Sequence, residues 1–247
     1  MTPTRQRHLL FALLAAGLLL VIIATIIALT RSQRDIQIAA PADPSLSPSG
    51  FTFFDVDRAT VLDRSLRKKL ADTLGSDAIA HATPIDLTIV GPHFLRDHLP
   101  VLDTLNQRLN PAMGGRREHD TTRLTYHRAE RHNMPFRYIE LVFSNRNGRP
   151  LYFIINPTED FADSIATLAS KYGPPRIIPT ENGDAPVRIW EQAGDILVGT
   201  SFTRRNGRLA QELRIYFVDN LNQLVASEDQ ALKQQESNTR KAGERAF

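Results

Sequence analysis

The sequence predicts an α+β protein in which an N-terminal transmembrane helix is followed by antiparallel β-meanders packed by helices. Three observations carry that reading. Residues 9–29 (LLFALLAAGLLLVIIATIIAL) hold no charge. Asn147-Gly148 lies between two β-rich runs, the strongest short-range hairpin signal in a sequence. Leu62, Leu66, Leu70 and Leu74, and again Phe161, Ile165, Leu168 and Tyr172, recur at helical spacing.

The totals are those of a globular protein. Of 247 residues, 42% are hydrophobic and 23% charged, which excludes wholesale disorder. A net charge of +3 gives no reason to expect nucleic acid, which asks for a concentrated basic face. The absence of cysteine excludes disulfides, thiolate catalysis and cysteine-ligated metal.

The boundaries follow in order. Residues 1–8 are a cytoplasmic tail and 9–29 the span, roughly 32 Å as a helix and long enough for a bilayer core. The span is longer than a signal-peptide core, and Ile38-Ala39-Ala40 lies too far beyond it to serve as a cleavage site, so a retained signal-anchor is expected. Arg5 and Arg7 before it are nearly balanced by Arg31 and Arg34 after it. A short leading tail and a long following body favour an inner-membrane protein whose body is periplasmic. Ala12, Ala16, Ala24 and Ala28 form a small-residue stripe suited to close helix packing, or equally a stripe that faces lipid.

Residues 30–50 contain a Pro/Ser linker, PADPSLSPSG. A first α+β unit covers 51–158. In it, Asp57 is expected to cap a helix that runs to Gly75, and its Arg64, Arg67, Lys68 and Lys69 fall on a solvated face. Residues 85–90 (IDLTIV) read as a strand, and 94–109 as a helix restarted at Pro100. Strands are expected near 122–128, 136–144 and 151–156. A second αβββ unit with a closing helix covers 159–227. It opens with a helix capped by Asp160 and ended by Gly173, followed by strands near 187–191, 196–203 and 210–218. The closing helix starts at Asn220, and 228–247 form a polar, frayed tail.

Both halves carry the tetrapeptide RNGR at a hairpin, 146–149 and 205–208. Two tandem αβββ units would explain this, and so would turn chemistry alone. The end of the predicted helix, Lys171-Tyr172-Gly173-Pro174-Pro175, followed by a strand with Trp190, resembles small bacterial envelope α+β modules of the SmpA and β-lactamase-inhibitor-like type. The likeness covers about the last 70 residues and implies binding of other envelope proteins. It supplies no site residue, and the chain lacks the lipobox cysteine of a lipoprotein.

Catalytic patterns are weak. Asp55-Val56-Asp57 after an apolar run is similar to a phosphatase nucleophile motif, but the fourth position past Asp55 is Ala59 and no later acidic pair supplies magnesium ligands. His93/His98 and His127/His132 are each five apart, which suits neither a helix nor a strand metal pair. No Gly-x-Ser-x-Gly and no Gly-rich phosphate loop occurs; Met113-Gly114-Gly115 has no strand leading into it. Trp190 and Tyr152 read as core.

The best-marked surface is Arg-rich: Arg116, Arg117, Arg123, Arg128, Arg131 and Arg137 with Tyr126 interleaved, able to hold an anionic group or an acidic partner loop. The expectation is therefore a non-catalytic, membrane-anchored accessory or binding subunit of a cell-envelope assembly. It has a protein partner and no cofactor, metal or nucleic acid, and a homo-oligomer is left open. The alternatives are a periplasmic ligand-binding or sensory module and an envelope hydrolase.

Overall fold

A computed structural model describes residues 50–91, 93–111, 117–127, 134–158, 161–180, 185–203 and 209–246. The predicted span with Ala12, Ala16, Ala24 and Ala28, the linker up to residue 49, Arg116, Arg128, Arg131, His132, the Asp160 cap and the 205–208 turn lie outside them. Among the described residues no helix is long and apolar enough to cross a membrane.

The fold is α+β. The elements are α1 (Arg64–Leu74), β1 (Ala78–Thr83), α2 (Phe94–His98), α3 (Pro100–Leu109), β2 (His119–His127), β3 (Phe136–Ser144), β4 (Pro150–Pro157), α4 (Phe161–Tyr172), β5 (Arg176–Ile178), β6 (Val187–Gln192), β7 (Asp195–Thr203), β8 (Leu209–Tyr216) and α5 (Val218–Ala246). All eight strands join one sheet in the order β1-β2-β3-β4-β8-β7-β6-β5. Every pairing is antiparallel, so the sheet is two four-stranded meanders meeting where β4 lies beside β8.

Strand alternation sends side chains to two cores. On one face Val142, Tyr152, Ile189, Val198 and Tyr216 meet Leu102, Leu105 and Leu109 of α3 and Leu221, Leu224 and Val225 of α5. On the other, Leu124, Tyr126, Ile139, Phe143, Phe153 and Ile215 meet Leu70 and Leu74 of α1, the partly buried Ile165 and Leu168 of α4, and Phe51 and Val56. Helices therefore cover both faces, which is how an antiparallel sheet with two apolar faces avoids water.

Several expectations are corrected. The α1 cap is Asp63, whose Oδ1 accepts the Leu66 N–H at 2.7 Å. Asp57 instead closes a turn, accepting from the backbones of Ala59 and Thr60 at 3.0 and 2.9 Å. Helix α1 does end at Gly75, and Pro100 does restart a helix after the break at Leu99. Residues 85–90 are not a strand; β1 lies just upstream and stops at Thr83, before Pro84. The segment still alternates, burying Ile85 and Leu87, but it lies on the sheet face instead of in the ladder. Side chains take over its backbone groups. Asn106 accepts the Leu87 N–H (3.0 Å), Asn110 donates to the Ile85 carbonyl (2.8 Å), and Tyr216 and Arg214 donate to the carbonyls of Leu87 and Thr88 (3.2 and 2.6 Å).

The hairpin at 145–149 forms, but of its residues only Gly148 has positive φ (68°), so Asn147 is not in the mirror-image turn that Asn-Gly favours. Gly148 donates its N–H to the Ser144 carbonyl, at 2.9 Å. The tail after 227 is not frayed: α5 continues to Ala246. The segment has no proline and is rich in Gln, Glu, Lys, Arg and Ala, which favour helix while remaining solvated.

Candidate binding surfaces

The described members of the predicted arginine set do not converge. Residues 123 and 126 are an odd number apart on β2, so their side chains leave opposite faces of the sheet. Tyr126 is fully buried in the α1-side core, where burial holds its phenol well above the ordinary range. Arg137 is exposed at a break in register between Phe136 and Tyr138. Arg117 turns to α5, 3.3 Å from Glu228.

Arg123 enters a polar cluster on the α3/α5 face. Its Nε is 3.4 Å from Glu140, and one of its terminal amines donates to the Pro84 carbonyl at 3.1 Å. Glu140 also accepts from Tyr138 (2.7 Å) and Tyr152 (3.2 Å). Burial, and then Glu140, hold both phenols above their ordinary value, so they are proton-bearing donors and poor nucleophiles at neutral pH. Further along the face, Arg214 bonds Glu212 and the 88 carbonyl beside Tyr216, whose phenol burial pushes up to about 12. This network pairs the Glu140 carboxylate and the Tyr138, Tyr152 and Tyr216 hydroxyls where the sheet buries them, while Arg123 Nε is left without a hydrogen-bond partner.

Two other clusters tie distant elements together. Asp195, at the β6–β7 turn, has a fully buried side chain gripped by Arg58 at 2.6 and 3.0 Å. Gly50 packs so closely there that a Cβ would lie 2.6 Å from the Asp195 carboxylate. His119 on β2 faces Glu228 on α5 at 2.9 Å, and its Nε2 is buried without a hydrogen-bond partner. Asp55 sits in a two-residue turn in which both Phe54 and Asp55 have positive φ, and it pairs with Lys69. It is therefore not at the end of a sheet strand, where the phosphatase motif would need it. His93 precedes α2, His98 lies tilted against Phe94, and His127 lies against Tyr138. Among the described residues no group of three His, Asp or Glu side chains is placed to hold a metal ion.

An apolar opening lies beneath α4. Ile155, Leu197, Leu213 and Ile215 form its floor, Ser164, Thr167 and Leu168 its helical wall, and Phe53, Pro135 and Phe136 one end. Its volume is about 310 Å³, and a neighbouring depression of about 410 Å³ shares Thr52, Phe53, Pro135 and Phe136 and reaches Lys171. These lie at the lower end of the range for ligand pockets.

The groove exists because α4 is thinly packed. None of its described side chains is fully buried; Ile165, Leu168 and Tyr172 are half-buried. Its C-terminal end is pinned: the Trp190 indole donates to the Gly173 carbonyl at 2.8 Å, and Tyr172 packs edge-on against Phe51. Burial raises the Tyr172 phenol, and hydrogen bonds from Thr52 and Lys171 more than offset it, leaving it below its ordinary value. Its N-terminal half lies over the groove. Ser164 and Thr167 were not singled out from sequence. Their one local signal is that small polar residues share the Leu168 side of a helix with few large apolar ones.

No family model matches the chain, and neither the curated proteins nor the solved structures contain a significant match.

Proposed function

We propose that the protein is a membrane-anchored, extracytoplasmic binding subunit of a cell-envelope assembly. It holds an apolar segment of a partner polypeptide in the groove under α4 and carries out no reaction of its own. The groove is the observation that supports this: an apolar floor ringed by Ser164, Thr167, Asp163 and Thr52 suits a peptide, whose side chains are apolar and whose backbone is polar. The uncharged run at 9–29 supports the anchor and the polar linker supports a body held off the bilayer. The test is a photo-crosslinking side chain at Thr167 in the full chain, expressed in its own envelope. One crosslinked partner is expected, lost when Ser164→Trp fills the groove while the melting temperature stays put. A crosslink indifferent to Ser164→Trp would remove the groove from the reading.

The apolar lining of the same groove also favours a second reading, a module for a small apolar ligand. A stoichiometric small molecule in native mass spectra of the full chain, displaced by Ser164→Trp, would select it.

A further inference from the structure

The groove under α4 and the depression beside it carry opposite charges at their two ends. The helix side that lines the groove presents Asp163, Ser164, Thr167 and Leu168, and the next residue at that spacing, Lys171, lines the depression. Eight residues set Asp163 and Lys171 about 12 Å apart along the helix. The floor between them, over Leu213 and Ile215, is apolar.

The ends differ in construction. Asp163 is exposed, on the half of α4 that lies over the groove. At the other end the helix is pinned, by Trp190 on the Gly173 carbonyl and Tyr172 on Phe51. Hydrogen-bond donors gather there around Thr52, which lines both openings. The Thr52 N–H donates to the Tyr172 hydroxyl oxygen at 3.2 Å, and Lys171 Nζ donates to the Thr52 hydroxyl at 2.9 Å. That bond occupies one of the three ammonium protons. The carboxylate that shares the depression, Asp55, is exposed and pairs with Lys69 instead. The corner already favours a negative oxygen: burial raises the Tyr172 phenol, and the bonds from Thr52 and Lys171 outweigh it.

We propose that the groove binds a fatty acid, with its alkyl chain over Leu213 and Ile215 beneath α4 and its carboxylate in the depression against Lys171 Nζ and the Thr52 hydroxyl. The inference rests on the small-ligand reading of the groove and names the ligand. Charge sets the orientation, because Asp163 repels a carboxylate at the opposite end and Lys171 attracts it. One cation matches one carboxylate, and one groove matches one chain, which a two-chain phospholipid does not offer.

The test irradiates the full chain, in mild detergent, with dodecanoate carrying a terminal diazirine or with the methyl ester of the same probe. Labelled peptides are then mapped by mass spectrometry. The acid is expected to label residues 164–168 and 213–215 several-fold more than the ester. Lys171→Met should erase that preference and Lys171→Arg keep it, with the melting temperature little changed in either. Ser164→Trp should abolish labelling at 213–215 by both probes. Equal labelling by acid and ester, or a preference that survives Lys171→Met, would overturn the carboxylate site and leave a groove for uncharged ligands. Absence of groove labelling by either probe would overturn the small-ligand reading as well; a protein captured at Thr167 would then leave the polypeptide reading standing.

Discussion

Replacing Arg58 by methionine leaves the Asp195 carboxylate buried with no cation. In the native protein Arg58 grips it twice, at 2.6 and 3.0 Å, and the Asp195 side chain has no exposure while Arg58 keeps 24%. Breaking a fully buried pair costs about 3–5 kcal/mol; partial access of water at Arg58 lowers the expectation to about 2–3 kcal/mol. For a body of this size that is a fall in melting temperature of roughly 4–12 °C at pH 7.

The pH dependence has a definite sign. Burial already holds the Asp195 carboxyl above the usual carboxylate range against the pull of Arg58, while the Asp195 bond holds Arg58 above its own ordinary value. The two directions describe one pair, in which the aspartate loses its water and the arginine gains a partner. An acid raised in the folded state is most favourable to folding below its unfolded value, near 3.8, and loses that contribution as pH rises through the folded value. Without Arg58 the folded value rises further. The deficit of Arg58→Met should therefore be largest near neutrality and shrink on acidification toward pH 4, and Asp195→Asn should erase most of that slope. Melting curves followed by circular dichroism from pH 4 to 7 measure it. Parallel profiles for the native and Arg58→Met chains would refute the reasoning.

Trp190→Phe removes the indole bond to the Gly173 carbonyl and should cost about 1 kcal/mol, with amide exchange accelerating in α4 more than in β3; uniform acceleration would mean α4 is not separately pinned. The Arg67 bond holds the Asp77 carboxyl below the usual range, so its contribution is present above about pH 3.8 and is lost as pH falls through the folded value. Asp77→Asn should flatten the stability profile at that acid end, read as melting temperature against pH. The exposed Asn238→Cys, in a chain with no other thiol, should react with an impermeant maleimide in spheroplasts with intact membranes. Protection there would place the body on the cytoplasmic side.

Legibility varied with how local the cause was. Strands β2, β3, β4, β6, β7 and β8 and helix α4 were readable because apolar spacing and flanking Gly or Pro act within a few residues. Strand β1 was missed because alanine carries little strand preference, and β5 because three residues between prolines give no pattern. Residues 85–90 show the converse: alternation reports burial on one side, not membership of a ladder, and the side chains that take over its backbone lie up to 129 positions away. In the arginine set, the odd spacing between Arg123 and Tyr126 already forbade a shared face on a strand. Nothing local marked Glu228 as the partner of His119, 109 residues distant, or joined Phe53, Leu168 and Leu213 around one groove.

The sheet is continuous, yet it narrows where the two meanders meet. Strands β4 and β8 match over four residue pairs, against seven for β3 with β4 and eight for β7 with β8. Each of these two strands is thus stitched more densely to its own meander than to the other. Under load or partial denaturation the fabric should part along that central seam, held last by the Phe217 amide on the Leu151 carbonyl and by Asn220, which clasps the carbonyls of Arg58 and Pro150.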